Sequence, residues 1–295
     1  MKIAIYGTEL NEKIKISIKA LIDFLRTKQA HIFIDSDFFN SIRNINELNK
    51  ENNDLHTFEE LDKSFDLVIS IGGDGTILRA ITKVKDSAIP IIGINTGRLG
   101  FLSTIKRDEI SDDLNKVFEG KYRISKRTVL NVETDINDNN FDLNFALNEI
   151  AVSRKNTTSM ITIETWLDEE YLTSYWADGL IVSTPTGSTG YSLSCGGPII
   201  MPESKNLVLT PIAPHNLNAR PLVIPDDKEI SISIESREDQ YFISIDSEII
   251  SASVNSEIVI SKANQKLNMV EFDDNSFIKS LKDKLMWGKD KRTKQ

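Results

Sequence analysis

The chain has one cysteine, Cys195, in 295 residues. No disulfide framework can form within it, which fits a reducing compartment. Its three histidines, His31, His56 and His215, are far apart and show no metal-ligand spacing. A zinc site therefore has no basis in the sequence, and no residue is assigned as a metal ligand. No apolar run approaches the roughly 18 residues that would mark a membrane span. The opening segment Met1–Gly7 has too short an apolar stretch for a signal peptide and reads as a first buried strand. These absences predict a soluble, cytoplasmic protein without a membrane partner. An excess of basic residues is missing as well: 35 Lys and Arg face 44 Asp and Glu, for a net charge of −9. General nucleic-acid binding needs many Lys/Arg–phosphate contacts, so no nucleic-acid partner is expected. A small anion remains compatible, held by backbone N–H groups or a few placed cations.

Three common site signatures are also absent. There is no Gly-x-x-x-x-Gly-Lys-Ser/Thr loop, no Gly-x-Gly-x-x-Gly fingerprint, and no Gly-x-Ser-x-Gly elbow. Any nucleotide must be bound in another way, and a hydrolase nucleophile has no support. Cys195 lacks an evident activating partner and reads as a small packed residue.

The length and the 40% apolar content allow two domains with real cores. Over the first 120 residues strand and helix patterns alternate. Lys2–Gly7, His31–Asp35, Asp66–Ile71 and Pro90–Asn95 read as strands. Asn11–Lys28, Thr76–Lys85 and Arg107–Glu119 read as helices. Short continuous apolar strands between helices imply a parallel, Rossmann-like sheet covered on both faces. Ligands of such sheets sit at the carboxyl ends of strands, the position of the loops after Ile71 and Asn95. From Lys121 to Phe272 strand follows strand, including Thr128–Thr134, Phe141–Val152, Ser159–Leu167, Gly179–Ser183, Glu229–Glu235, Tyr241–Ile245 and Glu257–Lys262. Asn137–Asn140 reads as a hairpin turn. The expected organisation is an α/β domain over 1–122, an all-β sandwich over 123–272, and a C-terminal helix and tail over 273–295. In the tail, Phe277, Leu281, Leu285, Met286 and Trp287 mark an amphipathic helix, and Lys289–Gln295 reads as frayed.

Four segments carry candidate chemistry. Gly72-Gly73-Asp74-Gly75-Thr76 ends a buried strand and opens a helix. Glycines there let a ligand approach the backbone, and helix N-terminal N–H groups hold phosphate oxygens. Asp-Gly can simply make a tight turn. In this setting the carboxylate better suits a base that takes a proton from an attacking hydroxyl. Arg79, one turn into that helix, either faces a phosphate or lies on the surface. Asn95-Thr96-Gly97-Arg98-Leu99-Gly100-Phe101-Leu102 leaves the next strand. Phe101 either offers a face to a purine or packs under the loop. Asn148-Glu149 has the groups to bond ribose hydroxyls, although the dipeptide alone reads as a strand end. The longest segment runs from Asp178 through Thr184-Pro185-Thr186-Gly187-Ser188-Thr189-Gly190-Tyr191-Ser192-Leu193-Ser194 to Pro198. Small hydroxyl and glycine residues around one Tyr, flanked by buried segments, suit a wall for a flat ligand, with hydroxyls reaching phosphate.

In this order the four segments resemble the NAD kinase family, over nearly the whole chain. Gly-Gly-Asp-Gly-Thr alone is shared with diacylglycerol kinases and loosely with phosphofructokinases. Its combination with the other three is specific. A lipid kinase would want a hydrophobic cleft rather than the Thr/Ser-rich run, and a non-catalytic nucleotide-binding regulator would not need Asp74. The resemblance implies an α/β domain followed by an NAD-binding β-sandwich. It implies that Asp74 accepts the proton of the adenosine ribose 2′-hydroxyl of NAD. The same carry-over puts Gly75, Asn148, Glu149, Asp178, Thr189, Gly190, Tyr191, Ser192, Leu193, Ser194 and Ala213 with Asp74 in the binding site; Arg79 and Phe101, from their places beside the two loops, and Glu248 are counted with them. ATP with a divalent metal, normally magnesium, would supply the phosphoryl group, and the protein would be a homo-oligomer, a dimer or tetramer. Two positions depart from the pattern. Gly190 stands where many relatives have Ala. Asp246-Ser247-Glu248 stands where many have Asp-Gly-Gln, which leaves the role of Glu248 open.

Overall fold

The computed structural model describes residues 1–43, 45, 54–97, 100–134, 144–156, 159–273 and 276–286. Arg98, Leu99, the Asn137–Asn140 turn, Trp287 and the Lys289–Gln295 tail lie outside the described residues. The chain forms two compact units, one of residues 1–126 with 267–295 and the other of residues 127–266.

The first unit opens with β1 (Lys2–Tyr6), α1 (Glu12–Thr27), β2 (His31–Asp35), α2 (Ser36–Ile42) and β3 (Leu55–Phe58). It continues through β4 (Leu67–Gly72), α3 (Asp74–Val84), β5 (Ile91–Asn95), β6 (Ile105–Lys106), α4 (Ile110–Phe118) and β7 (Arg123–Arg127). Asn11 caps α1, its side chain accepting the N–H groups of Lys13 and Ile14 at 3.0 Å each. The sheet order begins β3-β2-β1-β4-β5, with parallel pairing throughout those strands. Period-two burial explains how both faces are covered. Ile3, Ile5, Ile69, Ile71, Ile92 and Ile94 pack with the apolar stripes of α1 and α4. On the other face, Gly93 lets Ile77 of α3 sit directly on the sheet, because a Cβ there would overlap the Ile77 side chain. Each such fully buried Ile or Leu contributes about 1.5–3 kcal/mol.

The second unit holds β8 (Leu130–Thr134), β9 (Phe145–Ala146), β10 (Glu149–Arg154), β11 (Ile161–Leu167), β12 (Glu170–Ala177) and β13 (Gly179–Ser183). A one-turn α5 (Tyr191–Ser194) precedes β14 (Asn206–Ile212), β15 (Leu222–Pro225), β16 (Ile230–Glu235), β17 (Gln240–Ile245), β18 (Glu248–Ser253) and β19 (Ile258–Lys262). Two six-stranded sheets, β15-β14-β13-β10-β17-β18 and β12-β11-β16-β19-β8-β9, share one apolar core. Alternation such as Ile230, Ile232 and Ile234 points every second side chain into it.

Two details differ from the sequence reading. The stretch 141–152, read as one strand, is described from residue 144, and it breaks at Leu147-Asn148 into β9 and β10, which belong to different sheets. The cause is Asp246, whose side chain takes up the N–H groups of Leu147, Asn148 and Glu149. The last strand, β20 (Leu267–Glu271), leaves the sandwich and pairs parallel to β5 in the first sheet, Met269 opposite Ile91. It is followed by α6 (Phe277–Leu285), whose Ser276 cap accepts the Lys279 N–H at 3.2 Å.

Candidate active site

In the first unit, β4 and β5 end side by side, with Gly72 opposite Asn95. Both loops therefore leave the sheet at the same level, at the carboxyl ends of parallel strands. Gly73 occupies the cap position of α3 without a side-chain cap, and Asp74 is the first residue of the helix. The Asp74 carboxylate reaches into the second loop. It accepts the Phe101 N–H at 2.6 Å, the Leu102 and Ser103 N–H groups at 3.3 Å, and the Ser103 hydroxyl at 3.3 Å. Gly100 makes this approach possible, since a Cβ there would overlap the Asp74 carboxylate. The first and second signature segments are thus one structure, with a half-buried carboxylate fixed by three backbone N–H groups.

The Phe101 ring packs against Phe277 of α6, centroids 6.3 Å apart, and the Lys284 ammonium lies 3.7 Å from its centroid. Phe101 joins the site through its backbone. Gly75 is exposed, and a Cβ there would meet open space. Arg79 is exposed on α3, and its charge reaches the Tyr6 hydroxyl.

In the second unit, Asn148 and Glu149 sit at the start of β10, held from behind by Asp246. That side chain accepts the Leu147, Asn148 and Glu149 N–H groups at 2.9, 2.8 and 3.1 Å. Burial pushes the Asp246 carboxyl up, and the three N–H bonds oppose that rise. Glu149 is buried, and its Oε2 has no hydrogen-bond partner among the described residues. Burial, then the neighbouring Asp246 charge, pushes Glu149 up to about 8, against a bond from the Tyr191 N–H. Of the two acids, Asp246 has the donors, so Glu149 keeps the proton at neutral pH.

The run after β13 folds over this pair. A Cβ on Gly187 would overlap the Asn148 backbone, and one on Gly190 would come within 2.9 Å of Glu149 Oε2. Most hydroxyls of the run turn inward. Thr184 donates to the Leu147 carbonyl at 2.6 Å, Ser188 to the Pro185 carbonyl at 2.6 Å, and Ser192 shares a 2.8 Å bond with Thr210. These bonds brace the wall. Thr189, Gly190 and Leu193 are half-buried, while Tyr191 and Ser194 are exposed. Burial pushes the Tyr191 hydroxyl up, and the charges of Cys195, Asp178 and Glu149 act in the same sense. Asp178 pairs with Arg154 at 3.0 Å, and its N–H bonds the Ile212 carbonyl at 3.0 Å. Ala213 follows immediately, exposed, with a left-handed φ of 44°. Glu248 is exposed at the start of β18, opposite Ile245, two strands from Glu149. Gly100, Gly187 and Asp246 were missed as site-builders because their roles come from close approach and long-range bonding.

The chain matches the family models described as ATP-NAD kinase N-terminal domain, over residues 11–122, and ATP-NAD kinase C-terminal domain, over residues 147–272. It is 52% identical over 295 residues to an NAD kinase of Christiangramia forsetii, covering 99% of this chain and 100% of that protein. An NAD kinase of Flavobacterium psychrophilum is 51% identical over 293 residues, with the same coverage. The chain belongs to the NAD kinase family. It is accordingly an enzyme, a phosphotransferase. Solved members of the family share the fold. Yeast NADH kinase complexed with NADH superposes with a TM-score of 0.88 at 26% identity, covering 100% of this chain and 90% of that one. An NAD kinase from Archaeoglobus fulgidus in complex with ATP gives 0.74 at 26% identity, covering 97% and 99%.

Proposed function

We propose that the protein transfers the γ-phosphoryl group of ATP to the 2′-hydroxyl of the adenosine ribose of NAD, forming NADP and ADP, with Asp74 as proton acceptor. The observation that carries this reading is the Asp74 carboxylate at the start of α3, fixed by the Phe101, Leu102 and Ser103 N–H groups. A base must be placed before it can act, and three backbone donors of the neighbouring loop place this one. The ribose oxygen attacks the γ-phosphorus as its O–H bond breaks and the proton passes to Asp74. The bond from the γ-phosphorus to the bridging oxygen breaks, and ADP leaves. Phosphoryl transfer asks for positioning and charge stabilisation more than covalent help.

In this reading Asn148, Glu149, Asp178, Ala213 and the face of Thr189–Ser194 hold the dinucleotide. A protonated Glu149 donates a hydrogen bond to a ribose oxygen, a role that fits a carboxyl raised to about 8. Gly75 and Arg79 meet ligand from α3, and Glu248 meets ligand from β18. Magnesium enters on the triphosphate of ATP, as part of the substrate. The protein works in the cytoplasm, in keeping with its single cysteine. It works as a homo-oligomer, dimer or tetramer, a reading supported by the exposure of Trp176 (50%) and Leu217 (90%) on the second unit. Incubation with ATP, magnesium and NAD should yield NADP, detected with an NADP-specific dehydrogenase. A folded protein that binds both substrates and forms no NADP would overturn the reading.

A further inference from the structure

The helix α6 shows an anomaly in its buried stripe. Its inward positions are Phe277, Ser280, Leu281, Lys284 and Leu285, the i, i+3, i+4, i+7, i+8 pattern of a helix packed on a core. Four of these suit such a face, and Lys284 does not. Its Nζ is buried and has no hydrogen-bond partner among the described residues. It lies 3.7 Å from the centroid of the Phe101 ring, the residue whose N–H holds Asp74. The field of Asp74 reaches it. The Asp74 oxygens, however, already accept the N–H groups of Phe101 to Ser103 and the Ser103 hydroxyl.

An aromatic face attracts an ammonium but offers no acceptor to its three N–H donors. A buried cation with unmet donors is costly to the fold, and an ordinary core residue at this position would avoid that cost. A phosphate oxygen supplies both the acceptor and the opposite charge.

We propose that Lys284 is a phosphate-binding residue of this kinase, carried on the C-terminal helix to the Asp74 loop, where its ammonium bonds the triphosphate of ATP. The proposal rests on the reading of Asp74 given above. The Phe101 ring holds the ammonium at the mouth of the loop, and Phe277 and Leu281 anchor the helix that carries it. Burial pushes Lys284 down to about 8, with the Asp74 charge acting in the opposite sense. An added phosphate beside it would favour the charged form.

The test is ATP binding by calorimetry in magnesium buffer, with Tm recorded in parallel, for the wild type, Lys284→Met and Lys284→Arg. Met keeps the bulk and removes the charge, and Arg keeps the charge and the donors. Lys284→Met should weaken ATP binding by about tenfold or more, the loss of a charged hydrogen bond, with Tm equal to or above the wild type. Lys284→Arg should recover most of the affinity, a rescue that a purely structural role would not produce. If either variant proves unfolded, the other still decides: an Arg variant that folds and binds ATP about tenfold or more weaker than the wild type, or a Met variant that folds and binds like the wild type, overturns the proposal. NADP formation, assayed separately, keeps the two readings apart. A wild type that binds ATP in a Lys284-dependent way but forms no NADP refutes the kinase reading alone. Normal NADP formation with unchanged ATP binding in Lys284→Met refutes the role of Lys284 alone.

Discussion

The two units treat carboxyl groups in opposite ways. In the first, Asp74 lies half-buried at a helix start with three backbone N–H groups turned toward it. In the second, Glu149 is buried beside another acid, with one oxygen lacking a partner, and is raised to about 8. Asp246 resembles Asp74 in its three N–H donors, yet its bonds hold the β9–β10 break together. The same hydrogen-bonding pattern thus serves two ends. Where the carboxylate sits between two glycine-rich loops it stays half-buried, the setting of the proposed base. Where it sits behind a strand it is a brace. The glycines make the difference visible: Gly100 gives room to Asp74, and Gly187 and Gly190 let the wall close over Asn148 and Glu149.

Four substitutions break or sharpen this contrast, in falling order of effect. Gly100→Ala should push the Asp74 carboxylate off the Phe101–Ser103 N–H groups and cut kcat by about 10²-fold; steady-state NADP formation reads it out. Asp246→Ala should leave three N–H groups of residues 147–149 unmet and cost about 3 kcal/mol of stability in denaturant melts. A cost as small as that of a surface substitution would show that the break at Leu147-Asn148 stands without it.

Glu149→Gln sharpens the comparison through pH. The folded-state value of about 8 lies above the ordinary 4.5, so folding takes up a proton. The stability from that proton is full below about 4.5 and is lost as pH rises through about 8. The Gln variant should be relatively more stable than the wild type at pH 9 than at pH 4.5. Parallel Tm–pH curves for the two proteins would contradict the assignment. Gly190→Ala should have the smallest effect, about 1 kcal/mol or less, because the flexible end of Glu149 can move from the new Cβ. A large loss of NAD affinity there would mean the Glu149 position is tighter than the geometry indicates.

Much of this was legible in the chain because local signals agree with the fold. The helix read from Asn11 to Lys28 forms over Glu12–Thr27 with Asn11 as cap, and the strands read at His31–Asp35 and Gly179–Ser183 form over those residues. The loops after β4 and β5 were placed by apolar runs ending in glycine. What escaped was non-local. The apolar run through Leu147 hides a break whose cause, Asp246, is 97 to 99 positions away. The alternation of Leu267–Glu271 looks like that of any sandwich strand, and only pairing with Ile91 returns it to the first sheet. Inward-turned hydroxyls of Thr184, Ser188 and Ser192 have the composition of a binding loop and the bonding of a brace. Lys284 looks like one more surface lysine until Phe277 and Leu281 fix the face it shares.

The central claim is that Asp74 accepts the ribose proton, and Asp74→Asn tests it most directly. Asn keeps the size and can keep part of the contact with the loop while removing the base. NADP formation by this variant should fall by about 10³-fold or more, while NAD affinity by calorimetry stays within about twofold of the wild type, since the Asn amide still offers a hydrogen bond to the ribose hydroxyl. Turnover close to the wild-type rate in Asp74→Asn would show that the proton goes elsewhere.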